Sequence, residues 1–171
     1  MQVYAIERLV ERGRRLQSWS ENAMEKLGNK LDLPGDICDW VTPGALVSWV
    51  QQEVAAPQQE QLPEPGSLIL AVLAFAYCRG IFDSEEILRA CDSVSEFQRL
   101  SKDAVSGTDQ LRDVRHRTSI VLIRLLARLL TRAVSEKCAL PPAEFPRSLK
   151  DRVHADAVQR LQNAVLIDHV S

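Results

Sequence analysis

Thr108-Asp109-Gln110-Leu111-Arg112-Asp113-Val114-Arg115-His116-Arg117, continued by Thr118-Ser119-Ile120-Val121-Leu122-Ile123-Arg124-Leu125-Leu126-Ala127-Arg128-Leu129-Leu130, is the stretch whose reading decides the fold. At 100° per residue Leu111, Leu122, Leu125, Leu126 and Leu129 share one broad arc, and this predicts a single long helix over 107–138, buried along that side. Arg117, Arg124, Arg128 and Arg132 form a separate stripe on the same projection. Between Gly107 and Cys138 stand seven Lys or Arg against three Asp or Glu, in a chain whose formal net charge is -2. A strong helix pattern and a concentrated positive charge coincide here.

The rest of the composition agrees with helices. Aromatics are scarce at 5%, no run alternates cleanly with period two, and Leu, Ala, Arg, Glu and Gln dominate. The expected fold class is all-α, a single helical bundle with an N-terminal accessory helix pair and a C-terminal helix. With 171 residues and 46% hydrophobic content, the chain is sized for one domain with a real core.

Charge is segregated along the chain. From Leu31 to Cys78 there is no Lys, Arg or His, yet Asp32, Asp36, Asp39, Glu53, Glu60 and Glu64 fall there. An acidic part and a basic part of one chain suit either a polyanion-binding face or two regions that attract each other.

A first helix is expected over 2–27, with Ile6, Leu9, Val10, Leu16, Met24 and Leu27 on one side. Thr42-Pro43 reads as a helix start with a hydroxyl N-cap and a proline at the first position, and Leu46, Val47, Val50 and Val54 point inward after it. Trp40 and Trp49, set among acids, read as packing residues rather than base-stacking platforms. Gly66 to Arg79 is apolar or small nearly throughout, which predicts a helix buried on almost every side and closed by Gly80. Asp83 or Ser84 reads as the cap of a short helix, with Glu86 three residues past Asp83, and Ser93 with Glu96 repeats that spacing ahead of a second. After Pro141, Pro142 and Pro146, a last helix from about Ser148 carries Val153, Ala157, Leu161 and Ala164 on one face. The organisation expected is therefore an accessory region 1–56, a linker 57–65, a helical domain 66–138 and a C-terminal part 139–171.

Sites of chemistry are hard to find. Cys38, Cys78, Cys91 and Cys138 form no Cys-x-x-Cys pair, the usage of a reducing compartment. His116, His154 and His169 have no partner at metal-ligand spacing, and no phosphate loop or nucleophile elbow occurs. No metal, cofactor or catalytic residue is assigned, and an enzyme is not expected. Glu7, Arg8, Glu11 and Arg12 break up the N-terminus, so it does not read as a signal peptide. The longest uncharged apolar run, Ser67 to Cys78, falls short of the roughly 20 residues that cross a bilayer. A cytoplasmic protein that does not enter the membrane is expected.

From Pro65 onward the order of features is familiar. An apolar helix ends in Tyr77-Cys78-Arg79-Gly80-Ile81, Ser84 opens the next, Phe97-Gln98-Arg99-Leu100 follows, and Thr108-Asp109 leads into Leu111-Arg112-Asp113-Val114-Arg115-His116-Arg117. Over about 65–134 this resembles the InsH-type helical N-terminal domain of the DDE insertion-sequence transposases of bacteria, with Val114 where that family usually has phenylalanine. The resemblance implies a domain that helps hold transposon-end double-stranded DNA ahead of a separate RNase H-like catalytic domain. No strands and no spaced acidic triad follow here, so DNA strand cleavage and recombination chemistry are not carried over, and a truncated or free-standing relative is implied.

Two readings follow. In the first the chain is a non-catalytic DNA-binding module, with Arg112, Arg115 and Arg117 meeting phosphates or base edges and Arg124 and Arg128 extending the phosphate track, as a homodimer or beside a catalytic subunit. In the second it is a helical protein-interaction or oligomerisation module, and the arginines pair with the acidic segment around Asp36 to Glu64, within one chain or across a dimer.

Overall fold

The computed structural model describes residues 25–26, 30–56 and 66–170, and among them it is all-α with no strand. The helix expected over 2–27 and the linker 57–65 lie outside the described residues, apart from 25–26. Helix α1 spans Pro43–Val54, α2 Gly66–Cys78, α3 Ser84–Ser93, α4 Ser95–Ser101, α5 Thr108–Arg117, α6 Ser119–Cys138 and α7 Arg147–Val170. Short 3-10 turns at Ile37–Asp39 and Pro142–Glu144 complete the order.

Helix α2 is the central rod. Every residue from Ile69 to Cys78 is buried, and α1, α4, α5, α6 and α7 all pack on it. A helix apolar on all sides has no stable place on a surface, so its neighbours must surround it. Phe75 meets Phe97 of α4 edge to face, with ring centroids 5.0 Å apart. Ile37 and the inner face of α1 belong to this same core, so the described part of region 1–56 is built into the bundle rather than attached to it. Thr42 does cap α1, its Oγ accepting from the Ala45 N–H at 3.3 Å, with Pro43 in the first helical position.

The end of α2 is set by Gly80 at φ 72°. The Ile81 N–H reaches back to the Ala76 carbonyl and the Gly80 N–H to that of Tyr77, the paired bonds of a Schellman ending. A side chain at position 80 has no room, because its Cβ would stand 2.9 Å from the Gly35 carbonyl oxygen. That close approach presses the loop at 34–36 onto the end of α2. Asp36 then receives Arg79 Nε on both carboxylate oxygens at 2.9 Å and caps the first 3-10 turn through the Cys38 N–H.

Two sequence expectations need correction. The single helix over 107–138 is two helices, broken at Thr118, where φ is -114° and ψ is 20°. Thr118 is buried, and its hydroxyl donates to the Val114 carbonyl at 2.7 Å, a back-bond that bends helices. Ser93 does not cap α4; its hydroxyl donates to the Arg89 carbonyl within α3, and the residue ahead of α4, Val94, offers no side-chain cap. Asp83, by contrast, caps α3 by accepting from the Glu85 N–H at 2.8 Å.

Helices α6 and α7 pack along each other as an antiparallel pair, so the start of α6 and the end of α7 lie at the same end of the bundle. Helix α7 lays Leu149, Val153, Ala157, Leu161 and Ala164 on the core, as its pattern predicts. Arg160 sits on that buried face as well. Its guanidinium donates to the carbonyls of Pro34, Gly35 and Tyr77 at 2.6 to 2.8 Å and to the Asp156 carboxylate at 2.6 Å. A cation is thereby placed against carbonyls at the C-terminal, negative end of α2.

Two helix endings give a paired prediction. Gly80→Ala should lower stability by about 1–2 kcal/mol or more, since alanine is strained at positive φ and has no room there. Ala139→Gly, which relieves φ 50° just past α6, should raise it by roughly 0.5–1 kcal/mol. Urea denaturation midpoints check both signs.

Candidate interaction surface

The arginines stand in different settings rather than in one outward row, with Arg112, Arg115 and Arg117 on α5 and Arg124, Arg128 and Arg132 on α6. Arg115, on α5, is 6% exposed; its Nη2 lies 2.6 Å from Asp168 Oδ2 and its Nη1 donates to the Tyr77 hydroxyl at 3.3 Å. Arg112, one turn earlier, points its Nε at the same Asp168 oxygen from 3.4 Å and its Nη1 at Asp109 from 3.7 Å. Arg117 lies at the surface in an ion pair with Asp113 of its own helix.

Beyond the break, α6 turns Arg128 and Arg132 toward α1. They stand 3.6 and 3.8 Å from the two carboxylate oxygens of Glu53. Arg132 also donates to Gln52 Oε1 at 3.0 Å and lies over the Trp49 ring, 4.7 Å from its centroid. The acidic segment thus meets the basic one inside a single chain. Arg124 is exposed and makes no ion pair among the described residues. Of the five arginines assigned to a phosphate track, Arg115 is thus buried against Asp168, Arg112, Arg117 and Arg128 face carboxylates, and Arg124 alone stands clear of them.

Asp168 is the residue that organises this end of the molecule. Its side chain is almost wholly buried, although it belongs to the last turns of α7. Oδ1 accepts the Ser84 N–H at 3.1 Å and Oδ2 the Ser84 hydroxyl at 2.5 Å. Because Ser84 is the first residue of α3, the carboxylate also lies at the positive end of that helix. Burial by itself would raise the Asp168 pKa, but the Ser84 and Arg115 hydrogen bonds outweigh it and hold the carboxyl below its ordinary value. Tyr77, buried beneath, is pushed up to about 12 chiefly by loss of water and stays a phenol.

Asp168 was readable in principle. It lies four residues past Ala164 and so continues the Val153, Ala157, Leu161, Ala164 face; an acid on a buried helical face needs a partner. Arg160, three past Ala157, carries the same signal. What sequence does not give is the identity of the partners, since Ser84 and Arg115 come from elements far away in the chain.

Between α5 with the first residue of α6 and the end of α7 runs a groove of about 510 Å³. Arg112, Arg115, His116 and Ser119 line it from one side, and Leu161, Val165, Asp168 and His169 from the other. The large apolar side chains most open to water among the described residues, Ile120 at 65%, Leu166 at 61% and Val170 at 88%, belong to the same end of α6 and α7 but do not line it. On α7, Leu166 points opposite the core face, and Val170 is one turn further on. No group of three or more His, Cys, Asp or Glu that could hold a metal ion occurs among the described residues, and no helix there is long and apolar enough to cross a membrane. Cys78 and Cys91 are buried and their thiols are pushed up to about 12 and about 11 by loss of water, which suits packing rather than nucleophilic chemistry.

Comparison with protein-family models, with curated proteins and with solved structures gives no match for this chain. The likeness to transposase N-terminal domains rests on the order of its motifs alone.

The depressed Asp168 carboxyl fixes a sign. Its contribution is present above the ordinary aspartate value and is lost as pH falls through the lower, folded-state value. Asp168→Asn leaves Arg115 buried without a counter-charge and should cost roughly 3 kcal/mol at neutral pH. The gap between parent and variant should narrow below about pH 4. Denaturant titrations at neutral and acidic pH measure it.

Proposed function

We propose that this chain is a helical protein-interaction module whose docking end is the one where the start of α6 meets the end of α7. The observation that carries the reading is the placement of Ile120, Leu166 and Val170 in water at one end of a bundle whose other large apolar side chains are mostly covered. Single exposed apolar residues are ordinary, but several large ones at one end are the common mark of a surface that another protein covers. Covering a leucine or isoleucine fully is worth about 1.5–3 kcal/mol, so a few such anchors supply most of a useful affinity.

The arrangement of charge supports the same reading over a DNA-binding one. Phosphate contacts dominate affinity for a duplex and require several free cations in a row. Here Arg115 neutralises the chain's own Asp168 in the interior, and Arg112, Arg117 and Arg128 lie against Asp168, Asp113 and Glu53. Taking Arg115 for a polyanion means breaking its interior contact with Asp168, which joins α5 to α7.

Photo-crosslinking separates the readings. A photoreactive amino acid placed at Leu166 in the cells of origin should give a discrete protein adduct, absent when it replaces exposed Arg99 on α4. The purified chain should show no salt-sensitive duplex binding. Adducts no stronger at 166 than at 99, together with duplex binding that falls steeply with salt and weakens in Arg124→Ala, would overturn the proposal and favour DNA.

A further inference from the structure

At 100° per residue Ala155, Gln159, Gln162, Leu166 and Val170 share one strip on the water side of α7, opposite its core face, and all five are exposed. No Asp, Glu, Lys or Arg stands on that strip over about four turns. Asp156, Arg160 and Asp168, the charged residues of this part of the helix, are engaged within the bundle: Arg160 holds Asp156 at 2.6 Å, and Asp168 holds Arg115 at 2.6 Å. The start of the helix differs, since four of the six residues from Arg147 to Arg152 are charged. A solvated helix face is ordinarily charged, and its loss of charge over several turns is the composition of a face that a protein covers.

We infer that this strip pairs with its own copy, so that the chain is a homodimer through α7; this rests on reading the end of α7 as a docking surface and names its partner. A two-fold axis sets the residues near it against themselves, so a self-pairing strip excludes charge and uses side chains that are their own complements. Carboxamides both donate and accept hydrogen bonds, and aliphatic groups pack on aliphatic groups. Gln162 at the middle of the strip and Leu166 one turn on supply one of each. A charged foreign partner finds no counter-charge on this strip.

An antiparallel crossing centred on Gln162 also fits in register. It brings each Leu166 over the space between Ala155, Val158, Gln159 and Gln162 of the other copy, the i, i+3, i+4, i+7 set that forms a hole for a knob. The small side chain of Ala155 keeps that hole open. The charged turns ending at Arg152 then pass beyond the end of the opposite α7 at Val170, so like charges do not meet.

Sedimentation of the full chain over a range of concentrations tests this, with charges placed at the axis. The parent should reach twice the monomer mass. Gln162→Glu and Gln162→Lys, at an exposed position that leaves the core untouched, should each weaken self-association about tenfold or more by setting like charges together. An equal mixture of the two variants should restore it. Arg99→Glu on α4 should change nothing. A chain that stays monomeric overturns the inference, as does a dimer indifferent to both Gln162 variants or one that the mixture fails to restore. The docking reading fails separately, if crosslinking at Leu166 captures no more protein than at Arg99.

Discussion

A carboxylate nearly sealed from water, Asp168, lies between the first residue of α3 and the guanidinium of Arg115, with the Tyr77 hydroxyl below. Neither charge could be buried alone, because losing hydration costs several kcal/mol for each ion. Together they are tolerated because the remaining lone pairs and protons also find partners: Ser84 gives the carboxylate two hydrogen bonds and Tyr77 takes one from the arginine. The contact joins three elements far apart in sequence, and it fixes where the end of α7 sits against α3 and α5. The groove, which Arg115 and Asp168 help to line, inherits its shape from it.

Arg160 does the corresponding work further back on the same helix. Its bonds to the carbonyls of Pro34, Gly35 and Tyr77 tie α7 to the end of α2 and to the loop that Gly80 allows to approach. A helix held only by Val153, Ala157, Leu161 and Ala164 could shift by a turn at modest cost, since small and branched apolar groups substitute for one another. Two buried charged side chains with separate and directional partners make such a shift expensive. Helix α7 therefore owes its register to polar contacts and its affinity for the core to apolar ones.

Much of this fold was legible in the residues. The all-round apolar stretch 66–79 announced the central helix, Thr42-Pro43 and Asp83 announced two starts, and Gly80 announced an end. The break at Thr118 was not legible, because it comes from one hydroxyl turning back onto the Val114 carbonyl while the leucine pattern runs on across it. That break separated Arg117 from the stripe, while Arg124, Arg128 and Arg132 keep one face of α6 and the last two turn it toward Glu53. The attraction between the acidic and basic segments was readable as a possibility, and it is realised at Glu53 with Arg128 and Arg132. The exposed apolar residues were partly legible too: Ile120 and Leu166 lie off the faces that carry Leu122, Leu125, Leu126 and Leu129 on α6 and Val153, Ala157, Leu161 and Ala164 on α7.

Arg115 and Arg160 thus fasten the bundle from within. The most direct measurement is a double-mutant cycle on unfolding free energy with Arg115→Met and Asp168→Asn, singly and together. Interior pairing of these groups predicts a coupling of about 2 kcal/mol, the double variant losing much less than the two single variants summed. Additivity to within about 0.5 kcal/mol would contradict it and return Arg115 to the solvent, where a phosphate chain could reach it.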